Sequence, residues 1–272
     1  MAAPTFSIVV PTYQRASMLE ECFASVAAQT FGDFECIVAD DGSTDATPDV
    51  VSAWAARDPR FRYHRLENGG SPGRTRNHGA ARATAPWIAF LDDDDLWLPE
   101  KLQRQHDALR AAPDATLIFG RMDRFGVENG PWPDPPVTPR PDLATLLLGN
   151  IVPCSSAVVR TSVFRALGGF DESLRYAEDY ELWMRFARQG ALVAMPDILV
   201  RYRSHAAGIS RDEARQVACM TQIYERARDA WGVPTAALAP LRRSVLRGRA
   251  RVTARERGFF AAIPRWVEAA LA

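Results

Sequence analysis

Phe6-Ser7-Ile8-Val9-Val10-Pro11-Thr12-Tyr13 is a compact β-branched run ended by a proline, and it reads as a first strand with polar residues following it. Working outward, Met18 to Ala28 places apolar residues at helical spacing, Phe34 to Ala39 is a second strand, and a helix follows through Trp54. Phe61 to Arg65 reads as a third strand, Pro72 to Ala83 as a helix, and Trp87 to Leu91 as a fourth strand. Pro99 to Leu109 is a helix opened by proline at its first position, and Thr116 to Gly120 is a fifth strand. Such alternation implies an α/β chain whose largely parallel sheet is covered on both faces. In open sheets of that kind ligands bind beyond the carboxyl ends of the strands. The residues directly after each strand are therefore the functional candidates.

The segment 126–141 carries Pro131, Pro133, Pro135, Pro136, Pro139 and Pro141, too many for a regular element, and reads as a surface loop. Beyond it come an apolar segment from Leu143 to Leu148, a strand near Ala157 to Val159 and a helix from Glu178 to Arg188. A strand from Ile198 to Tyr202 and a helical stretch over 211–272 complete the chain.

The 272 residues fit one large domain, or one domain with an appendage. Hydrophobic residues at 47%, charged residues at 24%, and 33 basic against 33 acidic side chains describe a globular chain and exclude disordered and collagen-like classes. Zero formal net charge supplies no global field for nucleic acid or membrane, so any such affinity needs a local patch. Two charge concentrations exist: the run Asp92-Asp93-Asp94-Asp95, and Arg242 to Arg265, where eight Arg face the single acid Glu256. Cys22, Cys36, Cys154 and Cys219 lack zinc-type spacing and read as buried thiols. No basic leader precedes Phe6, and no stretch approaches the ~18 apolar residues of a membrane span. The expected location is cytoplasmic.

Pro11-Thr12-Tyr13-Gln14-Arg15 follows the first strand and Asp40-Asp41-Gly42-Ser43-Thr44-Asp45 the second. The missing Gly-x-Gly-x-x-Gly and Gly-x-x-x-x-Gly-Lys-Ser/Thr loops count against nicotinamide oxidoreductases and P-loop hydrolases. Asp40-Asp41 would repel phosphate and suits a base edge or ribose; a turn with a helix cap is the plain alternative. Asn68 to Asn77 is a Gly loop entering a helix with Arg74 and Arg76, whose guanidinium groups suit phosphate or a nucleobase face. After the fourth strand, adjacent carboxylates of the Asp92 to Asp95 run repel by about 1 kcal/mol in water and about 4 kcal/mol near a protein surface, so the cluster wants a cation. Aspartate oxygens suit Mg²⁺ or Mn²⁺, which also take oxygens from substrate phosphates.

Ser7 to Tyr13, Asp40 to Asp45, Arg76-Asn77, Phe90 to Asp95 and Glu178-Asp179-Tyr180-Glu181-Leu182-Trp183 resemble, in order, the signatures of the family 2 inverting glycosyltransferases of the GT-A fold. The resemblance spans residues 5–210. It implies a Rossmann-like, mostly parallel central sheet in a glycosyltransferase domain at 1–210, with a C-terminal helical appendage at 211–272. It implies Pro11, Thr12, Tyr13 and Asp41 for the nucleoside, Asp41 reading the base, and Arg76 with its neighbour Arg74 for the nucleotide. Asp93 is implied near ribose and metal, and Asp94 as the direct metal ligand. Four consecutive Asp leave this register open by one residue, with Asp92 the alternative. Asp179 is implied as general base, next to Glu178, which orients the acceptor or caps the helix. His205, after the last strand, is implied as a further metal ligand.

The implied reaction moves a sugar from a nucleotide-sugar donor, UDP-linked by default, to the hydroxyl of a glycan or lipid-linked acceptor, with Mn²⁺ or Mg²⁺, in surface polysaccharide or glycolipid synthesis. Inversion needs a carboxylate to take the acceptor proton and a cation for charge growing on the leaving diphosphate. Two alternatives are a noncatalytic nucleotide-sugar-binding module, which the presence of both Asp94 and Asp179 opposes, and a sugar-phosphate nucleotidyltransferase. The latter is expected to carry a Gly-rich basic loop where this chain has Pro11 to Arg15. In the C-terminal stretch the Arg residues interleave with Val245, Leu246, Val252, Phe259, Phe260 and Trp266, as in a basic amphipathic helix pair. That pattern reads as a cap on the catalytic domain or a homodimer surface, or as a peripheral contact with anionic headgroups at the inner face of the membrane. No stacking aromatic motif accompanies the charge, so no nucleic acid partner is expected.

Overall fold

β1 (Phe6–Thr12) is buried at all seven positions, as a central apolar strand requires. The computed structural model describes residues 3–205, 212–257 and 259–272, without the side chains of 259, 260 and 271. The expected boundary at 210/211 and the side chains of Phe259 and Phe260 lie outside the described residues.

β2 (Phe34–Asp40) pairs parallel with β1 from Phe6↔Phe34 to Thr12↔Asp40, and β3 (Phe61–Arg65) continues the sheet beyond it. β4 (Trp87–Phe90) pairs parallel on the other side of β1. The intervening helices are α1 (Ala16–Ala27), α2 (Thr47–Arg57) and α3 (Pro72–Ala80). Then come β5 (Leu96–Trp97), α4 (Lys101–Ala111), β6 (Ala115–Gly126), β7 (Gly130–Trp132), α5 (Leu143–Leu148) and a 3-10 turn at Cys154–Ser156. β8 (Val158–Arg160), α6 (Thr161–Ala166), α7 (Glu178–Ala187) and β9 (Ala191–Ser204) precede the C-terminal helices α8 (Glu213–Asp229), α9 (Ala239–Arg257) and α10 (Phe259–Leu271).

The strand order is β3-β2-β1-β4-β8-β6-β9-β5, with β7 paired to β6. The long strands run parallel, and the antiparallel members β5, β7 and β8 are two or three residues long. Alternate strand residues enter two cores. Val9, Ile37, Ile88 and Phe90 meet Leu146, Phe164 and Trp183 on one face; Ile8, Val10, Val38 and Ala89 meet Phe23, Trp54 and Leu102 on the other.

β1 does not stop at Pro11, as its sequence suggested, but runs on to Thr12. Val9 C=O accepts from the Leu91 N–H, so Pro11, two residues later, turns its missing N–H to the same side, where β4 has already ended at Phe90. A proline there forfeits no ladder bond. Gly79 sits where an added Cβ would lie 2.7 Å from Val9 Cγ1, so α3 can pack directly on the sheet.

Two expectations change. The 126–141 segment is not loop throughout, since it contains β7. The last strand begins at Ala191 rather than Ile198, and its register against β6 shifts around Pro196. The C-terminal helices share the domain's core: α8 contributes Cys219, Ile223 and Ala227 to the cluster that holds Trp183. Glu181, fully buried on α7, is paired with Arg185 at 2.7 Å and with Arg226 of α8 at 2.6 Å. Several C-terminal arginines are used internally, Arg251 and Arg255 both pairing with Glu213. All four thiols are free, and Cys154 alone among them is only partly buried. Among the described residues no helix is long and apolar enough to cross a membrane.

Candidate active site

β1 has β2 on one side and β4 on the other, so the carboxyl ends of β1 and β4 form the switch point of the sheet, where a crevice is forced open. A cleft of about 1050 Å³ lies there. Every residue expected at the site borders it except Arg74.

Arg74 stands behind the cleft, its Nη1 3.2 Å from Asp41 Oδ1. Asp41 also accepts from the Gly69 N–H at 3.0 Å and the Gly70 N–H at 2.8 Å, so its carboxylate holds the glycine loop against the end of β2. An ionised carboxylate has about four acceptor sites, which leaves room for one further donor. Gly42, in the same turn, has φ 80°, and a Cβ there would come within 2.9 Å of Asn68 N. Asp40 is spent internally, accepting from Ser43 and Tyr63. Tyr13 is 47% exposed, whereas Thr12 is buried with its hydroxyl set toward the Asp93 carboxylate.

The four aspartates separate by task. Asp92 receives Arg76 Nη2 at 2.6 Å. Asp95 is buried, accepting from Ser155 Oγ and the Arg203 N–H, and so ties the strand end to the 3-10 turn and β9. Burial and the neighbouring Asp94 push its carboxyl well up. Asp93 is 8% exposed, 3.6 Å from Arg15; burial first, then the charge of Asp94, push its carboxyl up to about 7. Asp94 is raised by burial and by Asp92, and its Oδ2 lies 3.2 Å from His205 Nε2.

Among the described residues no group of three or more His, Cys, Asp or Glu is arranged to hold a metal ion. What the chain offers is a two-donor set, Asp94 and a His205 nitrogen that is buried without a hydrogen-bond partner. Hard carboxylate oxygen with imidazole, next to crowded carboxylates, fits Mn²⁺ or Mg²⁺ when a diphosphate completes the coordination.

At the other end of the site, α7 begins at Ala177 in the left-handed region, φ 57°. This non-glycine residue is strained there. The turn separates two adjacent acids. Glu178 is neither cap nor free group; it accepts from Arg76 Nη1 at 2.6 Å. Arg76, 6% exposed, thus joins Glu178 to Asp92, and both terminal nitrogens are engaged within the protein. Asp179 is half-buried, accepts from the Tyr180 N–H at 2.7 Å and lies 3.3 Å from Asn150 Nδ2. Burial, and then Glu178, push its carboxyl up to about 7, against the pull of Arg76. That value suits a general base working near neutrality.

Sequence reasoning gave no role to Arg15, Arg175 or Asn150. Arg175 borders the cleft and donates to the Gly69 and Gly70 carbonyls, bridging 106 positions of sequence. Arg175 and Asn150 lie in no periodic or clustered pattern, so no local signal marked them, whereas Arg15 stands in the polar stretch that follows the first strand.

A family model for glycosyl transferase family 2 matches residues 7–168. The chain belongs to that family. It is therefore a glycosyltransferase, and its mixed sheet with surrounding helices is the GT-A architecture. A PGL/p-HBAD biosynthesis glycosyltransferase of Mycobacterium bovis is 31% identical over 195 residues, covering 71% of this chain and 73% of the relative. Among solved structures of the same fold, Staphylococcus aureus TarS 1–349 in complex with UDP-GlcNAc has a TM-score of 0.74 at 21% identity, covering 97% of this chain and 79% of TarS 1–349. The mannosyltransferase PcManGT of Pyrobaculum calidifontis, in complex with GDP-Man and Mn²⁺, has a TM-score of 0.65 at 20% identity, covering 100% of this chain and 81% of its own.

Proposed function

We propose that this glycosyltransferase inverts the anomeric centre of a nucleotide-sugar, UDP-linked by preference, as it transfers the sugar to an acceptor hydroxyl in surface polysaccharide or glycolipid synthesis. The observation that carries the reading is one cleft holding two separate acidic centres. Asp93 and Asp94 follow β4, with Asp94 3.2 Å from His205, while Asp179 stands on the first turn of α7, and burial raises the carboxyls of Asp93 and Asp179 alike to about 7. The TarS and PcManGT complexes, which hold nucleotide-sugars in the same fold, support it.

In this reading Pro11, Thr12, Tyr13 and Asp41, which all border the cleft, receive the nucleoside. Asp94 and His205 would hold the divalent ion, with Asp93 contributing near the ribose and the metal. The ion supplies charge stabilisation on the departing diphosphate. Asp179 takes the proton of the attacking hydroxyl. Arg76 acts through Asp92 and Glu178, and Arg74 through Asp41. The glycosyltransferase domain closes with β9, and the C-terminal helices form its cap.

Thermal shift with UDP, GDP and dTDP, each with and without Mn²⁺, tests the reading, because a ligand that binds only the folded state raises Tm. A metal-dependent shift, largest with UDP, is expected. No shift with any nucleotide sinks the proposal.

A further inference from the structure

Lys101, the first residue of α4, is the only lysine of the chain and is fully buried, yet the proposed chemistry does not call on it. Its Nζ donates to Gln105 Oε1 at 2.7 Å, which turns the amide so that Nε2 donates to the Ser156 C=O at 2.8 Å. The same Nζ lies 3.7 Å from the centre of the Trp97 ring, and Trp97 Nε1 donates to the Ser155 C=O at 2.7 Å. Two successive carbonyls of the 3-10 turn are thus held by side chains that one lysine braces. A hydrogen-bonded network in a core fixes one arrangement of its members.

What the turn presents is Ser155 Oγ. This buried hydroxyl donates to Asp95 Oδ2 at 2.5 Å and accepts from the Asp92 N–H at 3.1 Å, so it grips both ends of the four-aspartate run. Asp95 Oδ1 accepts from the Arg203 N–H at 3.0 Å, and Arg203 Nε donates to the Asp94 C=O at 3.1 Å. Arg203 stands two residues before His205, whose Nε2 is 3.2 Å from Asp94 Oδ2. Ser155, Asp95 and Arg203 do not border the cleft, yet together they stitch the segment carrying Asp94 to the strand end carrying His205. We propose that Ser155 is a positioning residue for the metal ligands: acting through Asp95 and Arg203, it presets the separation of Asp94 and His205, so that the ion meets a formed pair instead of having to order one. This rests on the reading of Asp94 and His205 as ligands. Groups that orient ligands in this way are worth about 10–100-fold in metal affinity.

The test is calorimetric titration of the full chain with UDP across a Mn²⁺ series, which yields the metal-free UDP affinity and the Mn²⁺ midpoint at which UDP binding is half enhanced. Ser155→Ala is expected to raise that midpoint about tenfold or more and to leave metal-free UDP affinity at the parent value. Arg203→Met, at a side chain 23% exposed, cuts the bond to the Asp94 carbonyl without entering the buried turn, and is expected to raise the midpoint as well. In a His205→Ala background, Ser155→Ala should raise the midpoint by a much smaller factor, because no pair remains to preset; a purely structural loss costs the same factor in both backgrounds. An unmoved midpoint in both single variants, or equal factors in the two backgrounds, overturns the proposal and leaves the ligand reading standing. A parent whose UDP binding ignores Mn²⁺, or keeps its Mn²⁺ response in Asp94→Asn, defeats the ligand reading and the proposal with it.

Discussion

Replacing Arg76 with Met should damage stability and catalysis together, in amounts set by two contacts. The guanidinium lies 2.6 Å from Glu178 and 2.6 Å from Asp92, and its own side chain is nearly inaccessible. Methionine fills similar volume but leaves a buried Glu178 and a partly exposed Asp92 without a counter-charge. Removing one partner of a buried pair costs about 3–5 kcal/mol, and the exposure of Asp92 places the estimate near the lower bound. At about 2 °C per kcal/mol for a chain of this size, Tm falls by about 6 °C. Arg76 also holds the Asp179 carboxyl down against burial and Glu178. Without it the carboxyl moves above 7, so the acid limb of the kcat/KM profile shifts to higher pH. Glu178→Gln added to Arg76→Met removes one orphaned charge and recovers part of both losses. Urea unfolding and a pH series of donor hydrolysis measure the two effects. A stability loss below about 1 kcal/mol, the range of exposed ion pairs, with an unmoved acid limb, would refute the view that this triad is buried and coupled to the base.

Donor hydrolysis and transfer should stop with EDTA and return with Mn²⁺ or Mg²⁺; metal-independent turnover removes the role given to Asp94. His205→Ala should weaken the metal response, and an unchanged Mn²⁺ titration excludes it as a ligand. Asp179→Asn should keep nucleotide affinity while transfer falls by about 10²–10⁴, the usual contribution of a general base, and near-normal turnover moves that role to Glu178. In the parent, kcat/KM should fall tenfold per pH unit below about 7, where Asp179 becomes protonated. Because the folded carboxyl is raised above its ordinary 3.8, the stability tied to its protonated form is full below that value and lost as pH rises through about 7. Asp179→Asn should therefore be the more stable protein at pH 8, with the gap closing by pH 4. Glu181→Ala, which removes the fully buried carboxylate shared by Arg185 and Arg226 while Arg226 keeps Asp171, should cost about 3 kcal/mol and leave the nucleotide-induced shift intact.

Much of this protein was legible in the order of its residues. Continuous apolar runs such as Phe6 to Val10 cannot lie at a surface, and their alternation with amphipathic segments determined a covered, largely parallel sheet. The polar residues placed after those strands then had to meet at the sheet's carboxyl edge, which is why eleven of the residues named from sequence, Glu178 and Asp92 included, border one cleft. Position along a strand is a local property, and sequence carries it. Partnership is not local. Four adjacent aspartates are indistinguishable as letters; only the approach of Arg15, Arg76, Ser155, Arg203 and His205, the last three from beyond position 150, gives each a separate environment. The same holds for Glu178, whose helix-start position suggested a cap until Arg76, 102 residues away, claimed its carboxylate. A second cavity of about 370 Å³ beside Asp179 depends on α5, α8 and α9 converging on the first turn of α7, so it exists only once the chain is folded. Charge and burial are set by what surrounds a group in space, and the raised Asp179 carboxyl, on which the proposed chemistry turns, belongs to the tertiary structure alone.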